Sequence, residues 1–273
     1  MPIPASARAV VTGAGSGLGR AFCHDLARRG AKVLCADIDE ASAKKTADEI
    51  GHGAASTRCD VSKLEDVQAL AVAAEALLGG VDLIVNNAGV AVGGLVGEIS
   101  IEDWRWIVGV NFWGVVHGCH VFAPILKKQG RGHVLNVASA AGLLAPPSMG
   151  PYNATKAAVI ALSETLRAEF HGTGAGVTVL CPTFFATNIH NNARGTDENM
   201  RSMVEQMMSA SKLSAADVAR MALDTCERDQ LYALPHADGR WLWRLKRYTP
   251  AGFAALLPRA YAAQARRAGL TRP

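Results

Sequence analysis

The strongest constraint on this chain is an alternation that begins at residue 8 and runs to residue 234. Arg8–Thr12, Lys32–Ala36, Ala54–Cys59, Val81–Asn86, His133–Ala138, Val177–Cys181 and Leu231–Leu234 are short apolar runs that read as strands. Between them, Leu18–Arg29, Glu40–Ile50, Lys63–Leu78, Ile101–Lys128, Asn153–His171 and Ala215–Arg228 carry helical spacing. Strands separated by helices of this length make βαβ units, and such units have parallel strands and right-handed crossovers. The expected fold is α/β: a doubly wound, mostly parallel, seven-stranded Rossmann-type sheet with helices on both faces. Residues 1–238 read as one catalytic domain, and 239–273 as a basic, aromatic, helical C-terminal extension.

The first strand–helix junction reads Thr12-Gly13-Ala14-Gly15-Ser16-Gly17-Leu18-Gly19. Glycines let a backbone approach a pyrophosphate, and the N-terminus of the following helix offers unpaired N–H groups and a positive dipole end. Arg20 follows Gly19, so the turn is not a nucleoside-triphosphate loop, which needs Lys and a hydroxyl there. A Gly-rich turn that binds nothing is the alternative, and its position at the first junction argues against that. Asp37 closes the second strand, where a carboxylate can accept both hydroxyls of an adenosine ribose and repel a 2′-phosphate. No basic residue flanks it, which favours NAD over NADP. Asp37 could instead be a capping acid, but Asp39 suits that role better. Asp60 closes the third strand, within reach of an adenine amino group, and Asn86-Asn87-Ala88-Gly89 closes the fourth.

Tyr152 and Lys156 stand four residues apart, on one face of a helix. A free phenol ionises near pH ~10, too high for a neutral-pH base, and lowering that by about three units takes ~4 kcal/mol. An ammonium one turn away, helped by a cationic nicotinamide ring, can supply it. A solvated Tyr and Lys on a surface helix is the competing reading. Ser139 weighs against it: it ends the fifth strand 13 residues before Tyr152, where a hydroxyl can hydrogen-bond a substrate oxygen as charge develops. A helix-cap or loop Ser is the alternative. Asn111 lies inside the long helix, either holding a water beside Lys156 or as a satisfied core amide.

These motifs together resemble the short-chain dehydrogenase/reductase superfamily, in its single-domain branch, over about residues 5–235. The family's turn falls on Thr12 to Gly19, its Asn-Asn-Ala-Gly on Asn86 to Gly89, and its Asn, Ser, Tyr and Lys tetrad on Asn111, Ser139, Tyr152 and Lys156. The resemblance implies hydride transfer at the nicotinamide C4 with Tyr152 as acid or base. Lys156 would also bind the nicotinamide ribose, and Asn111 would complete a proton relay to solvent. It places the cofactor against Gly13, Ser16, Gly17, Leu18, Gly19, Asp37, Ile38, Asp60, Val61, Asn87, Ala88, Gly89, Tyr152, Lys156, Pro182, Phe185 and Thr187, with Thr187 on the carboxamide. It also implies a homodimer or homotetramer built partly through two long helices. One departure stands out: the family's Pro-Gly after the sixth strand is here Pro182-Thr183. Thr restricts a backbone that Gly leaves permissive.

Composition narrows the rest. Hydrophobic residues at 49% and charged residues at 19% fit a packed globule and exclude wholesale disorder. A net charge of +4 does not argue for nucleic acid, and no nucleic-acid partner is expected. The charge is uneven, however: residues 239–273 hold eight of the 28 Lys and Arg and none of the 24 Asp and Glu. This tail reads either as packed on its own subunit or as a weak membrane-surface contact. Within it, Phe253 to Leu257 and Tyr261 to Leu270 suggest two short helices. The six cysteines form no Cys-x-x-Cys pair, no His cluster has zinc spacing, and no metal is expected. Reduced thiols, no leader-like start and no apolar run near the ~18 residues of a bilayer crossing all lead to the cytoplasm as the expected location. Ala140, Leu143, Leu144, Met149, Phe184 and the 188–210 loop are the substrate-facing candidates, and most are apolar. The substrate expected is a hydrophobic secondary alcohol or ketone. The rival function is a catalytically idle dinucleotide-binding protein with a regulatory or membrane-peripheral role.

Overall fold

A computed structural model describes residues 6–51, 53–185, 193–195 and 211–267. Seven strands form one sheet: β1 (Arg8–Thr12), β2 (Lys32–Asp37), β3 (Ala54–Arg58), β4 (Leu83–Asn86), β5 (Gly132–Val137), β6 (Ala175–Leu180) and β7 (Tyr232–Ala233). Their order is β3-β2-β1-β4-β5-β6-β7, and every pairing is parallel. The order reverses between β1 and β4, which opens the crevice at the carboxyl ends where doubly wound sheets bind ligands.

Successive residues of each strand point to opposite faces, so each strand feeds two cores. On one face Val11, Val33, Leu83 and Leu180 meet α1 (Gly17–Arg28), α2 (Glu40–Ile50) and α8 (Ala215–Glu227). On the other, Val10, Leu34, Ile84 and Val179 meet α3 (Leu64–Leu78), α5 (Gly114–Gln129) and α7 (Gly150–Glu169). Both cores are closed and dry, which explains why the strands read as continuous apolar runs.

Four features depart from the sequence expectation. The single helix expected over Ile101–Lys128 is α4 (Ile101–Val108) and α5 joined by a π-helical turn, Gly109–Trp113. By length and apolar composition Ile101–Gln129 could cross a bilayer, contrary to the sequence reading, although its inner face lies against α3, β4 and β5. A short helix, α6 (Ala140–Leu144), follows β5 directly. The tail forms α9 (Ala237–Tyr248) and one helix α10 (Pro250–Arg267), which runs through Pro258, instead of two short helices after Pro250.

Candidate active site

After β1 the chain must reverse sharply to start α1. Gly13 (φ +66°) and Gly17 (φ +52°) take left-handed backbone that side chains resist. Space is also lacking: a Cβ on Gly13 would lie 2.9 Å from the Ala88 Cα, and one on Gly19 would strike the Gly13 carbonyl. The neighbouring strand braces the turn. The Asn87 side-chain amide donates to the carbonyls of Thr12 (2.8 Å) and Gly13 (3.2 Å). In return, Thr12 Oγ1 accepts from the backbone N–H of Asn87 (3.0 Å) and Ala88 (3.1 Å). Ser16 precedes α1 in extended backbone without making a side-chain cap, and the first turn of α1 carries no acid. Its leading amides are therefore uncapped and uncompensated, as an incoming phosphate requires. Leu18 is buried in the core, so only its backbone faces the turn.

Asp37 reaches this turn from the end of β2. Its Oδ2 accepts from the Gly15 N–H (2.9 Å) and its Oδ1 from the Asp39 N–H (3.1 Å). Each oxygen keeps a lone pair for a hydroxyl donor. Asp39 caps α2, accepting from the amides of Ala41 and Ser42, as its position suggested. Ile38, 61% exposed, stands beside Asp37 as an apolar surface. Asp60 Oδ1 accepts from the backbone N–H (3.1 Å) and hydroxyl (2.7 Å) of Ser62. Val61 is buried, against Gly114. These residues fit a dinucleotide: a tight glycine cradle, a bare helix start and a carboxylate held beside the turn by the Gly15 amide.

The reactive side chains meet at the end of β5. Ser139 begins α6, its hydroxyl accepting from the Ala141 N–H (3.1 Å). It also donates to the Pro182 carbonyl at 3.5 Å, and it stands near enough to Tyr152 to favour the ionised phenol. Tyr152 lies in the first turn of α7, after Pro151, with Lys156 one turn further on. The Lys156 ammonium lies 5.7 Å from the centre of the Tyr152 ring and donates to the Val137 carbonyl at 2.9 Å. Burial pushes the Tyr152 phenol above its ordinary value, and the Ser139 hydroxyl draws it back only in part. Burial also pulls Lys156 down to about 8. The sequence expectation that Lys156 lowers the phenol is thus corrected for the free protein. Lys156 is buried with its ammonium turned to a backbone carbonyl, and Tyr152 is half-buried. Of the two roles open to Ser139 in the sequence, the structure shows the helix cap.

Asn111 sits in the π-helical turn, fully buried. Its Oδ1 accepts from the Val90 N–H (2.8 Å) and its Nδ2 donates to the Val90 carbonyl (2.9 Å). Both polar atoms of the amide thus clamp the loop after β4, as a satisfied core amide would, and each keeps one further hydrogen-bonding position. The clamped loop passes close to the lysine: a Cβ on Gly89 would lie 3.3 Å from Asn111 Oδ1 and 3.5 Å from Lys156 Nζ.

On the far side, the Pro182 carbonyl accepts from the Ala140 N–H at 2.9 Å, tying the end of β6 to the helix that Ser139 starts. The Thr183 N–H donates to His236 Nδ1 at 3.3 Å. A Cβ on Gly239 would lie 2.8 Å from the Thr183 methyl, so α9 seats on the residue that replaces the family glycine. Phe185 packs into the core, its ring centre 6.1 Å from that of His236. Thr187 lies outside the described residues, as does most of the 188–210 loop. Ala140 is buried, and Leu143, Leu144, Met149 and Phe184 are half-buried around the Ser139 side.

Sequence reasoning does not single out the polar chain beneath this site. Asn86 Nδ2 donates to Asn136 Oδ1 (2.8 Å), and Asn136 Nδ2 donates to Ser163 Oγ (3.0 Å), all buried. The signal available was an Asn in the otherwise apolar run Val134-Leu135-Asn136-Val137.

Comparison with known proteins shows the family and the fold. The family model for short chain dehydrogenases matches residues 7–198. The oxidoreductase EphD of Mycobacterium tuberculosis is 41% identical over 196 residues, covering 69% of this chain and 33% of that one. The chain thus spans about a third of the length of that relative. A 1-deoxy-11-beta-hydroxypentalenate dehydrogenase of Streptomyces exfoliatus is 34% identical over 241 residues, 85% of this chain and 84% of the other. The crystal structure of a short chain dehydrogenase/reductase from Burkholderia phymatum in complex with NAD superposes with a TM-score of 0.82. It is 40% identical and covers 88% of this chain and 92% of that one.

Proposed function

The chain belongs to the short chain dehydrogenase family, and from that premise we propose that it moves a hydride between NAD and a hydrophobic secondary alcohol or ketone, with Tyr152 as general acid/base. One observation carries this reading. A phenol stands beside the Ser139 hydroxyl, with an ammonium 5.7 Å from its ring centre, at the carboxyl edge of the sheet where the glycine turn lies. Bound NAD supplies the hydride acceptor or donor and, when oxidised, a positive charge. Ser139 orients the substrate oxygen, and Tyr152 gives or takes its proton. Lys156 holds the charge of the phenolate form and the ribose hydroxyls. Asn111 fixes the Gly89–Val90 loop beside Lys156.

NAD is preferred to NADP on this reading because the Asp37 carboxylate, held by the Gly15 amide, stands where a 2′-phosphate would be. An apolar substrate is supported by the half-buried Leu143, Leu144, Met149 and Phe184 around Ser139. The chain works as a homodimer or homotetramer, a reading supported by Ile101, Trp113 and Ile125, exposed along the α4–α5 rod. Six buried free thiols suit the reducing cytoplasm. The test is a panel of apolar and polar alcohols and ketones with each nicotinamide, followed by the absorbance of the reduced cofactor. Turnover of apolar secondary alcohols with NAD is expected. Binding of NADH without turnover of any alcohol or ketone would favour the idle dinucleotide-binding protein.

A further inference from the structure

Helix α9 has two unlike faces. The inner face grips the site. Gly239 lies against Thr183 and Ala140. Arg240 donates to the carbonyls of Leu234 (2.6 Å) and Pro235 (2.8 Å), and Trp243 packs on Tyr232 with ring centres 5.1 Å apart. Lys246 donates to the Leu143 carbonyl at 2.6 Å. The outer face is covered by nothing in the described chain. Trp241 (62% exposed), Arg244 and Tyr248 (81% exposed) follow one another at helical spacing, with Arg247 exposed beside them. Helix α10 carries the same character onward: Leu256 and Arg259 are exposed, while Phe253 turns inward beneath Lys246. No acid occurs in 239–273, and among the described residues no carboxylate pairs with Arg244 or Arg247.

We propose that this outer face of α9 and the start of α10 dock the protein on an anionic lipid bilayer. Trp and Tyr have an apolar body and a polar tip and settle at the headgroup level, while Arg forks onto lipid phosphate. A face that alternates the two matches that interface in both respects. A second copy is a poorer occupant, because a two-fold contact would set this all-positive face against itself. A polyanion would answer to the arginines and leave Trp241, Tyr248 and Leu256 without a role. The inner face of the same helix holds α6, which Ser139 begins, so docking sets the substrate side of the molecule beside the membrane. The proposal rests on the tail's surface and not on the enzymatic reading, so either can fail alone.

The test is flotation of the full chain with vesicles of phosphatidylglycerol and phosphatidylcholine, and with phosphatidylcholine alone. The protein is expected to float with the first, to be released by salt, and to stay down with the second. Arg244→Gln/Arg247→Gln is expected to weaken binding about fivefold per cation removed, and Trp241→Gln/Tyr248→Gln to weaken it as well. NADH affinity, read by fluorescence, should be unchanged in both variants and thereby report an intact fold. Failure to float with anionic vesicles, or equal flotation with both kinds, would overturn the proposal. So would a Trp241/Tyr248 variant that floats like the original while the arginine variant loses heparin binding, which would identify a polyanion. A change of oligomeric size in the variants without vesicle binding would identify a second copy and overturn it too.

Discussion

The two ends of the site are built differently. At the glycine turn the chain completes the geometry by itself. Gly13 and Gly19 leave room, Gly17 takes left-handed backbone, Asn87 and Thr12 lock the turn, and Asp37 is held in place by the Gly15 amide. At the Ser139 end the positions are equally fixed but the charges are not ready. Burial raises the Tyr152 phenol and draws Lys156 down to about 8. The comparison teaches that shape at this site is supplied by the fold, whereas the electrostatics that make a phenol reactive depend on what binds. A bound cationic ring beside the half-buried phenol and the buried ammonium would favour the phenolate most strongly where water is excluded.

The largest expected effect separates the two ends. Tyr152→Phe removes the proton carrier and should lower turnover by about 10³-fold or more. NADH affinity and thermal stability should move little, since the ring stays packed. Steady-state kinetics alongside fluorescence binding checks this, and near-normal turnover would remove Tyr152 from the chemistry. Gly19→Ala tests the other end. Its Cβ meets the Gly13 carbonyl, which is backbone and cannot swing aside. NADH affinity should fall by about 100-fold, the equivalent of roughly 3 kcal/mol, with a lower melting temperature. If Gly19→Ala binds NADH normally, the turn is not the cradle.

A third prediction concerns pH. Lys156 titrates near 8 in the folded chain and near 10.5 when unfolded. Between those values the unfolded chain holds more protons, so stability rises with pH across that window. Below pH 8 the burial cost is constant. The stability of the original protein relative to Lys156→Met should therefore rise by about 3 kcal/mol between pH 8 and 10.5. Denaturant melts of both proteins at pH 7 and pH 10 check this, and the buried thiols cancel in the difference. A flat difference would mean that the ammonium is not buried as described. The smallest effect is one of preference: Asp37→Ala should narrow the ratio of NAD to NADP efficiency by about 10- to 100-fold, and an unchanged ratio would refute the ribose role.

What the sequence revealed follows the same division. The alternation of apolar runs and helices placed the seven strands, because period and length report burial directly. The glycine turn was legible because only Gly satisfies such backbone. Tyr152 and Lys156 were legible as a pair because helical spacing fixes their common face. Less legible were the features that tertiary packing decides. Nothing in Val110-Asn111-Phe112 announces an extra residue in the helix, since a π-helical turn depends on what the Asn111 amide finds, here the Val90 backbone. The upward shift of Tyr152 in the cofactor-free chain was not legible because spacing gives proximity but not burial. Thr183 looked like a disturbance of the cofactor site; it is also the seat of Gly239, a contact between residues far apart in the chain.

The most direct measurement is the ultraviolet titration of Tyr152, taken as the difference between the original protein and Tyr152→Phe, with and without saturating NAD. Without cofactor the phenol should ionise above the ordinary tyrosine range, and with NAD it should ionise well below its cofactor-free value. A phenol that already ionises below the ordinary range in the free protein, or one that NAD does not move, would contradict the account.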